Sequence, residues 1–260
     1  MNESERLTLQ LKRLRLHTMA TIFEQEALKA AKIEMSYTAF LARLVDEEIA
    51  AKTDRSVSAH IAKAHFPMLR TLQQFDFSFQ PSLPAARLRE LAELAFLSRA
   101  ENILLVGRPG VGKTHLAIAY ALLACQARKR ALFTHAPDLL DQLLAAEISH
   151  GLSKLLEAMR RLDLLVVDEL GYLPMDPHRA NLFFQLVSQM YTRVSLIVTS
   201  NVPFDSWGKV LGGDEIIAAA ILDRLLHFSH AFQIAGPSYR MKDKLSQPIE
   251  KPPNLCHDPT

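Results

Sequence analysis

The 260-residue chain has only two cysteines, Cys125 and Cys256. They are too few for a disulfide framework, so a reducing, cytoplasmic setting is expected. No uncharged apolar run comes near the ~18 residues of a membrane span, so no membrane partner is expected. The segment MNESERLTLQ carries acids and no apolar stretch, which argues against a secretory signal. Net charge is nearly absent: 30 basic against 28 acidic residues leave +2. Any contact with DNA must therefore come from local patches. Glycine is scarce as well, with nine in all, yet Gly107, Gly110 and Gly112 fall within six residues. A chain that spends glycine so sparingly has a steric reason to cluster it there. What is present is ordinary for a globular protein. At 49% hydrophobic and 22% charged residues the chain is not disordered, and its length suits one or two domains.

The periodicity changes along the chain. Leu7, Leu11, Leu14, Thr18 and Ile22 repeat at helical spacing and predict a helix over 5–34. A second helix is expected over 36–52, capped by Ser36, and a third over 54–65. Residues 1–66 thus read as a small all-helical domain. Residues 67–84 follow with three prolines and, counting Phe66, four flanking phenylalanines. They read as an aromatic connector that docks onto something. Pro84 opens a helix expected to reach Leu97. From 102 onward short apolar strands (102–106, 131–135, 163–168, 195–200, 231–235) alternate with helices. The helices are expected over 113–127, 137–148, 152–161, 178–192, 215–227 and 238–245. Such alternation implies a five-stranded parallel sheet covered on both faces, an α/β domain over 67–245. The proline-rich tail 246–260 is expected to be disordered.

Residues Gly107-Arg108-Pro109-Gly110-Val111-Gly112-Lys113-Thr114 match G-x-x-x-x-G-K-[ST], after a strand and opening a helix. Glycines let successive N–H groups turn inward onto phosphate oxygens, and the helix N-terminus adds partial positive charge. Lys113 is expected to reach the β- and γ-phosphates of ATP, and Thr114 to ligate Mg²⁺. A plain strand–turn–helix corner needs neither residue. Strand 163–168 ends in two acids. Asp168 is the expected Mg²⁺ residue and Glu169 the general base that polarises water. A second acid favours attack by water over a small-molecule kinase, which would also need a lid. It likewise argues against a nucleotide-bound scaffold without turnover. Strand 195–200 is expected between the phosphate and metal strands, which sets Asn201 where γ-phosphate and water meet, with Thr199 a weaker candidate. Cys256 and His257 alone fall short of a metal site.

These segments together resemble AAA+ ATPases of the IstB/DnaC-like clade, and within it the IstB-like helpers of insertion-sequence transposition. The resemblance covers nearly the whole chain. It rests on Phe75-Asp76-Phe77, GRPGVGKTHLA (107–117, which brings His115 into the nucleotide loop), LLVVDELGYLP (164–174), VTSN (198–201), ILDRLLH (221–227) and SYRMK (238–242). It implies a P-loop AAA+ domain behind a helical N-terminal domain. It also implies that Arg224 is an arginine finger acting on a neighbouring subunit and that Arg240 is a sensor of nucleotide. An arginine supplied in trans requires a homo-oligomer. The expected activity is Mg²⁺-dependent ATP hydrolysis by an assembly on duplex DNA that regulates a partner transposase. The alternative is a DnaC-like replicative helicase loader. Backbone phosphates are the expected DNA contacts, with Lys12, Arg13, Arg15 and Arg55 as candidates.

Overall fold

The computed structural model describes residues 1–172 and 174–239. The chain divides into two compact units, Met1–Ala62 and Lys63 onward. The division falls a few residues before the expected one. Ala64 is fully buried and its carbonyl accepts from the amide of Phe133, which ties it to the second unit.

The first unit holds α1 (Glu3–Arg13), α2 (His17–Lys32) and most of α3 (Tyr37–Lys63). Asn2 and Glu5 close a capping box on α1, and the Ser36 hydroxyl accepts from the amide of Ala39 at the start of α3. Two expectations are corrected here. The predicted helix 5–34 is broken, because Arg15 takes a left-handed conformation (φ 59). Its amide bonds to Lys12 and that of Leu16 to Leu11, a Schellman ending made without glycine. The predicted pair 36–52 and 54–65 is instead one continuous helix, since nothing between them interrupts the backbone ladder. The unit also buries two acids, Glu26 and Glu48.

The second unit begins with the connector, which forms short 3₁₀ turns at Leu72–Gln74 and Phe77–Phe79. The single helix expected from Pro84 to Leu97 is two: α4 (Ala85–Leu91) and α5 (Ala95–Ser98), separated by Leu94 in the left-handed region. The remaining elements are β1 (Asn102–Gly107), α6 (Lys113–Gln126), β2 (Ala131–His135), α7 (Ala136–Ile148), α8 (Leu152–Met159), β3 (Leu164–Leu170), α9 (Pro177–Met190), β4 (Ser195–Ser200), α10 (Trp207–Val210), α11 (Glu215–His227) and β5 (Ser229–Ile234). Of the helix expected over 238–245 only Ser238 and Tyr239 are among the described residues, and the rest of it and the tail lie outside them.

All five strands are parallel, in the order β2-β3-β4-β1-β5. β4 therefore separates the strand leading into the glycine loop from the strand carrying the two acids. Side chains alternate across the sheet. Leu104, Leu165, Val167, Leu196 and Val198 join the core formed with α7, α8, α9 and α11. Their neighbours Ile103, Leu105, Leu164, Val166 and Ile197, all buried, point to the other face, which α6 covers. Among the described residues no helix is long and apolar enough to cross a membrane.

Candidate functional site

A cavity of about 700 Å³ opens at the C-terminal ends of the strands, the usual ligand position in open parallel sheets. Its floor is the loop between β1 and α6. Gly110 (φ 82) and Gly112 (φ 102) hold conformations that L side chains rarely adopt. They are also crowded: a Cβ on Gly110 would collide with Ser238, and one on Gly112 with the ring of Phe75. The glycine cluster thus answers to curvature and to two walls packed against it. Pro109 through His115 line the cavity. Gly107 and Arg108 do not. Their carbonyls instead accept from the Lys113 ammonium, at 2.6 and 2.9 Å.

β3 supplies the acids, and its geometry separates them. Val167 pairs with Val198 and Leu170 with Ser200, so β3 carries one extra residue there. At this bulge Glu169 adopts φ 61, an uncommon conformation for a non-glycine residue and a common mark of functional sites. Asp168 is buried, at 1% exposure, while the Glu169 side chain is half exposed and lines the cavity. Both oxygens of Asp168 lie within 3.0 Å of the Thr114 hydroxyl. Thr199 joins the two acids, donating to Asp168 at 2.5 Å and accepting from the Glu169 amide at 2.9 Å. Asn201 lines the same space, and its Oδ1 is buried with no hydrogen-bond partner among the described residues.

Lys113, Thr114, His115, Glu169, Thr199 and Asn201 therefore meet at one cavity, with Asp168 beneath it. Arg224 does not line it. Its guanidinium stands 4.8 Å from the ring centroid of Phe184 and donates to the carbonyl of Ala220. Arg240 lies outside the described residues. Arg55, a candidate DNA contact, is engaged within the first unit, 3.4 Å from the buried Glu48.

Several wall residues escaped the sequence. Met68, Arg70, Gln74, Phe75 and Gln80 come from the connector, and Tyr239 from beyond β5. Phe75 packs edge-on to Phe77 and His115, and the amide of Tyr239 donates to Gly110. His115 donates to the carbonyl of Thr71 at 2.8 Å. Burial lowers its pKa, the Thr71 bond opposes this, and the charge of Arg70 adds to it. His135, at the end of β2, was also missed. Its Nδ1 sits 3.6 Å from Asp168 and 4.0 Å from Glu169. The strand-end argument applied to Asn201 would have found it.

The family model for IstB-like ATP binding proteins matches residues 9–247. The chain belongs to this family. An insertion sequence IS21 protein from Pseudomonas aeruginosa, named for ATP binding, is 42% identical over 238 residues, 92% of this chain and 89% of that one. An IS5376 protein from Geobacillus stearothermophilus, named likewise, is 40% identical over 243 residues, 94% of this chain and 96% of that one. Among solved structures the DnaC helicase loader superposes with a TM-score of 0.50 at 21% identity, over 58% of this IstB-like chain and 88% of the loader. That likeness concerns the fold alone.

Proposed function

We propose that this protein is a Mg²⁺-dependent ATPase that assembles as a homo-oligomer on duplex DNA in the cytoplasm and regulates the transposase encoded by the same element. One observation carries the catalytic part. A glycine loop with its lysine and threonine, and Glu169 of β3, line one cavity at the sheet's C-terminal edge, with Asp168 buried beneath it. The insertion-sequence relatives support the transposition setting.

The residues suit the groups they would hold. A hydroxyl and a buried carboxylate within 3.0 Å are hard oxygen donors of the kind Mg²⁺ takes. When bound there, the ion supplies positive charge against the β- and γ-phosphate oxygens. The chain does the rest. Loop amides between Gly110 and Thr114 orient the phosphates, and Lys113 exchanges its loop carbonyls for phosphate oxygens. Glu169 takes a proton from the attacking water, and Asn201 Oδ1 accepts that water's other hydrogen. Thr199 fixes both acids. His115 belongs to the loop as a packing residue against Phe75. Arg224, away from its own cavity, acts on the neighbour's γ-phosphate, and Arg240 senses nucleotide. Residues 1–66 contact DNA or partner, through Lys12, Arg13 and Arg15.

The test is sedimentation of the protein with duplex DNA of unrelated sequences, with ATP, ADP or no nucleotide. ATP-dependent assembly that is indifferent to sequence and weakens steeply with salt is expected. Arg224→Ala should bind ATP yet fail to hydrolyse it, and mixing with Lys113→Ala should restore activity that rises with protein concentration. No recovery in confirmed mixed oligomers removes the trans role. Capture of the replicative helicase in place of the transposase would favour the DnaC-like loader, the reading that the shared fold supports.

A further inference from the structure

The loops that lead into the strands carry an uneven charge. The four residues before each of β1, β2, β3 and β4 together hold seven lysines and arginines against two acids. Arg99 precedes β1, and Arg128, Lys129 and Arg130 precede β2. Arg160 and Arg161 precede β3, and Arg193 precedes β4. All are exposed except Arg160, which is partly so. The four strands are parallel neighbours, so these loops share one edge of the sheet, at the opposite end from the cavity. Ala131, Leu164 and Ser195 stand level across β2, β3 and β4, which sets the loops before them side by side. The acids of this edge are already engaged. Glu101 faces Arg99 at 3.1 Å and His230 at 2.9 Å, and Asp163 accepts from the amide of Arg130 at 2.8 Å. Glu157 of α8 faces Arg160 at 3.1 Å and Arg161 at 3.9 Å. Arg128, Lys129 and Arg193 enter no ion pair among the described residues. Their backbones are nonetheless fixed, with the amide of Arg128 bonded to Cys125, that of Lys129 to Ala124 and that of Arg193 to Met190. The cations are thus presented from set points, with little backbone entropy left to lose on binding.

Seven cations crowded on one edge repel one another, and a polyanion relieves that repulsion. All but one are arginines, whose planar fork matches the oxygens of a phosphate. The edge from β2 to β1 covers three strand spacings, about 14 Å. The same length of duplex DNA carries about eight phosphate charges. We infer that this strand-entry edge is a second DNA surface. Arg128, Lys129 and Arg193, flanked by the paired arginines, contact the backbone phosphates of duplex DNA. Contacts of this kind position a duplex without reading its sequence. The edge and the cavity lie at opposite ends of the strands, so one unit can hold nucleotide and DNA together. The inference rests on the DNA reading of the protein and adds the place where the second unit touches the duplex.

Fluorescence anisotropy tests this, with the full-length protein, ATP and two labelled duplexes of unrelated sequence across a salt series. Arg128→Gln, Lys129→Gln and Arg193→Gln are combined, because none of them breaks an ion pair. At ~0.1 M salt the triple variant is expected to lose about tenfold or more in affinity for both duplexes, and the slope of log affinity against log salt should shrink by about 2–3. Its ATP affinity and its hydrolysis without DNA should match the wild type, which shows that it folds. A control that combines Arg89→Gln, Lys154→Gln and Lys209→Gln loses the same charge elsewhere on the unit and should keep the wild-type slope. Wild-type affinity and slope in the triple variant overturn the inference. An equal loss in the control also overturns it, since net charge alone would then account for the effect. Where the triple variant does not fold, Arg193→Gln alone decides, with a slope expected to shrink by about 1 and an unchanged slope counting against the surface. Intact DNA binding with lost capture of the transposase would give the edge to a protein partner and overturn the DNA surface. No duplex binding by the wild type at any salt would instead overturn the DNA reading itself.

Discussion

Glu48 in the first unit and Asp168 in the second are both almost fully buried carboxylates, at 2% and 1% exposure. Glu48 accepts from the amide of Met19 at the start of α2 and faces Arg55 at 3.4 Å and Lys52 at 3.7 Å. Its neighbour in kind, Glu26, pairs with Arg43 and Lys29. Asp168 is held by two hydroxyls, and no lysine or arginine pairs with it among the described residues. Its nearest cationic candidate is His135. An acid whose charge is met by cations and backbone amides is complete within the fold. An acid surrounded by neutral donors keeps most of its charge for something else. The first kind stabilises a unit, and the second marks a site.

This contrast breaks most sharply at β3. Asp168→Asn and Glu169→Gln should each lower ATP turnover by about 100-fold or more, with the fold intact. Asp168→Asn should lose the response to added Mg²⁺, while Glu169→Gln should still bind ATP and accumulate in the assembled state. Steady-state hydrolysis and nucleotide-binding titrations check both. If Asp168→Asn unfolds the domain, the distinction between the two acids is wrong.

Glu48→Gln should do the reverse, lowering the stability of the first unit by about 1–2 kcal/mol, the scale for a weakened charged hydrogen bond, while nucleotide binding is unchanged. Hydrogen exchange in α2 and α3 reads the loss. The pH dependence has a definite sign. Burial pushes the Glu48 carboxyl up, but the amides of Met19 and Thr18 with Lys52 and Arg55 outweigh it and hold it below its ordinary value. A depressed folded value means that the stabilisation is complete above the unfolded pKa of about 4.3 and is lost as pH falls through the folded one. Wild-type protection in α2 should therefore decline in acid more steeply than that of Glu48→Gln.

The same contrast explains what could be read from the residues alone. The three central strands are buried on both faces and appear as apolar runs, including LLVV before the acids. The edge strands β2 and β5 are partly exposed, and the apolar residues of ALFTH and AFQIA still placed them within a few residues. The loop announced itself because glycine is rare elsewhere. The extension of β3 to Leu170 was missed, since a bulge leaves no mark in an apolar pattern. The breaks at Arg15 and Leu94 were missed because no glycine or proline flags them. The connector's aromatics showed that it docks. That Phe75 would press on Gly112, and Gln80 reach Pro237, depends on contacts far apart in sequence. Arg224 on Phe184 is equally a matter of tertiary packing.

Glycine's scarcity has a last consequence, for engineering. α6 and α7 end as α1 does. Arg128 (φ 60) and His150 (φ 55) occupy the left-handed position, with the paired bonds Arg128 to Cys125, Lys129 to Ala124, His150 to Glu147 and Gly151 to Ala146. Each such residue carries about 1–2 kcal/mol of backbone strain, part of which glycine recovers after its own entropy loss. Arg15→Gly, Arg128→Gly and His150→Gly, all on exposed turns, should each add about 0.5–1 kcal/mol, seen as a rise of a few degrees in melting temperature. The helix ends thus hold an untapped reserve of thermal tolerance at positions that do not line the cavity.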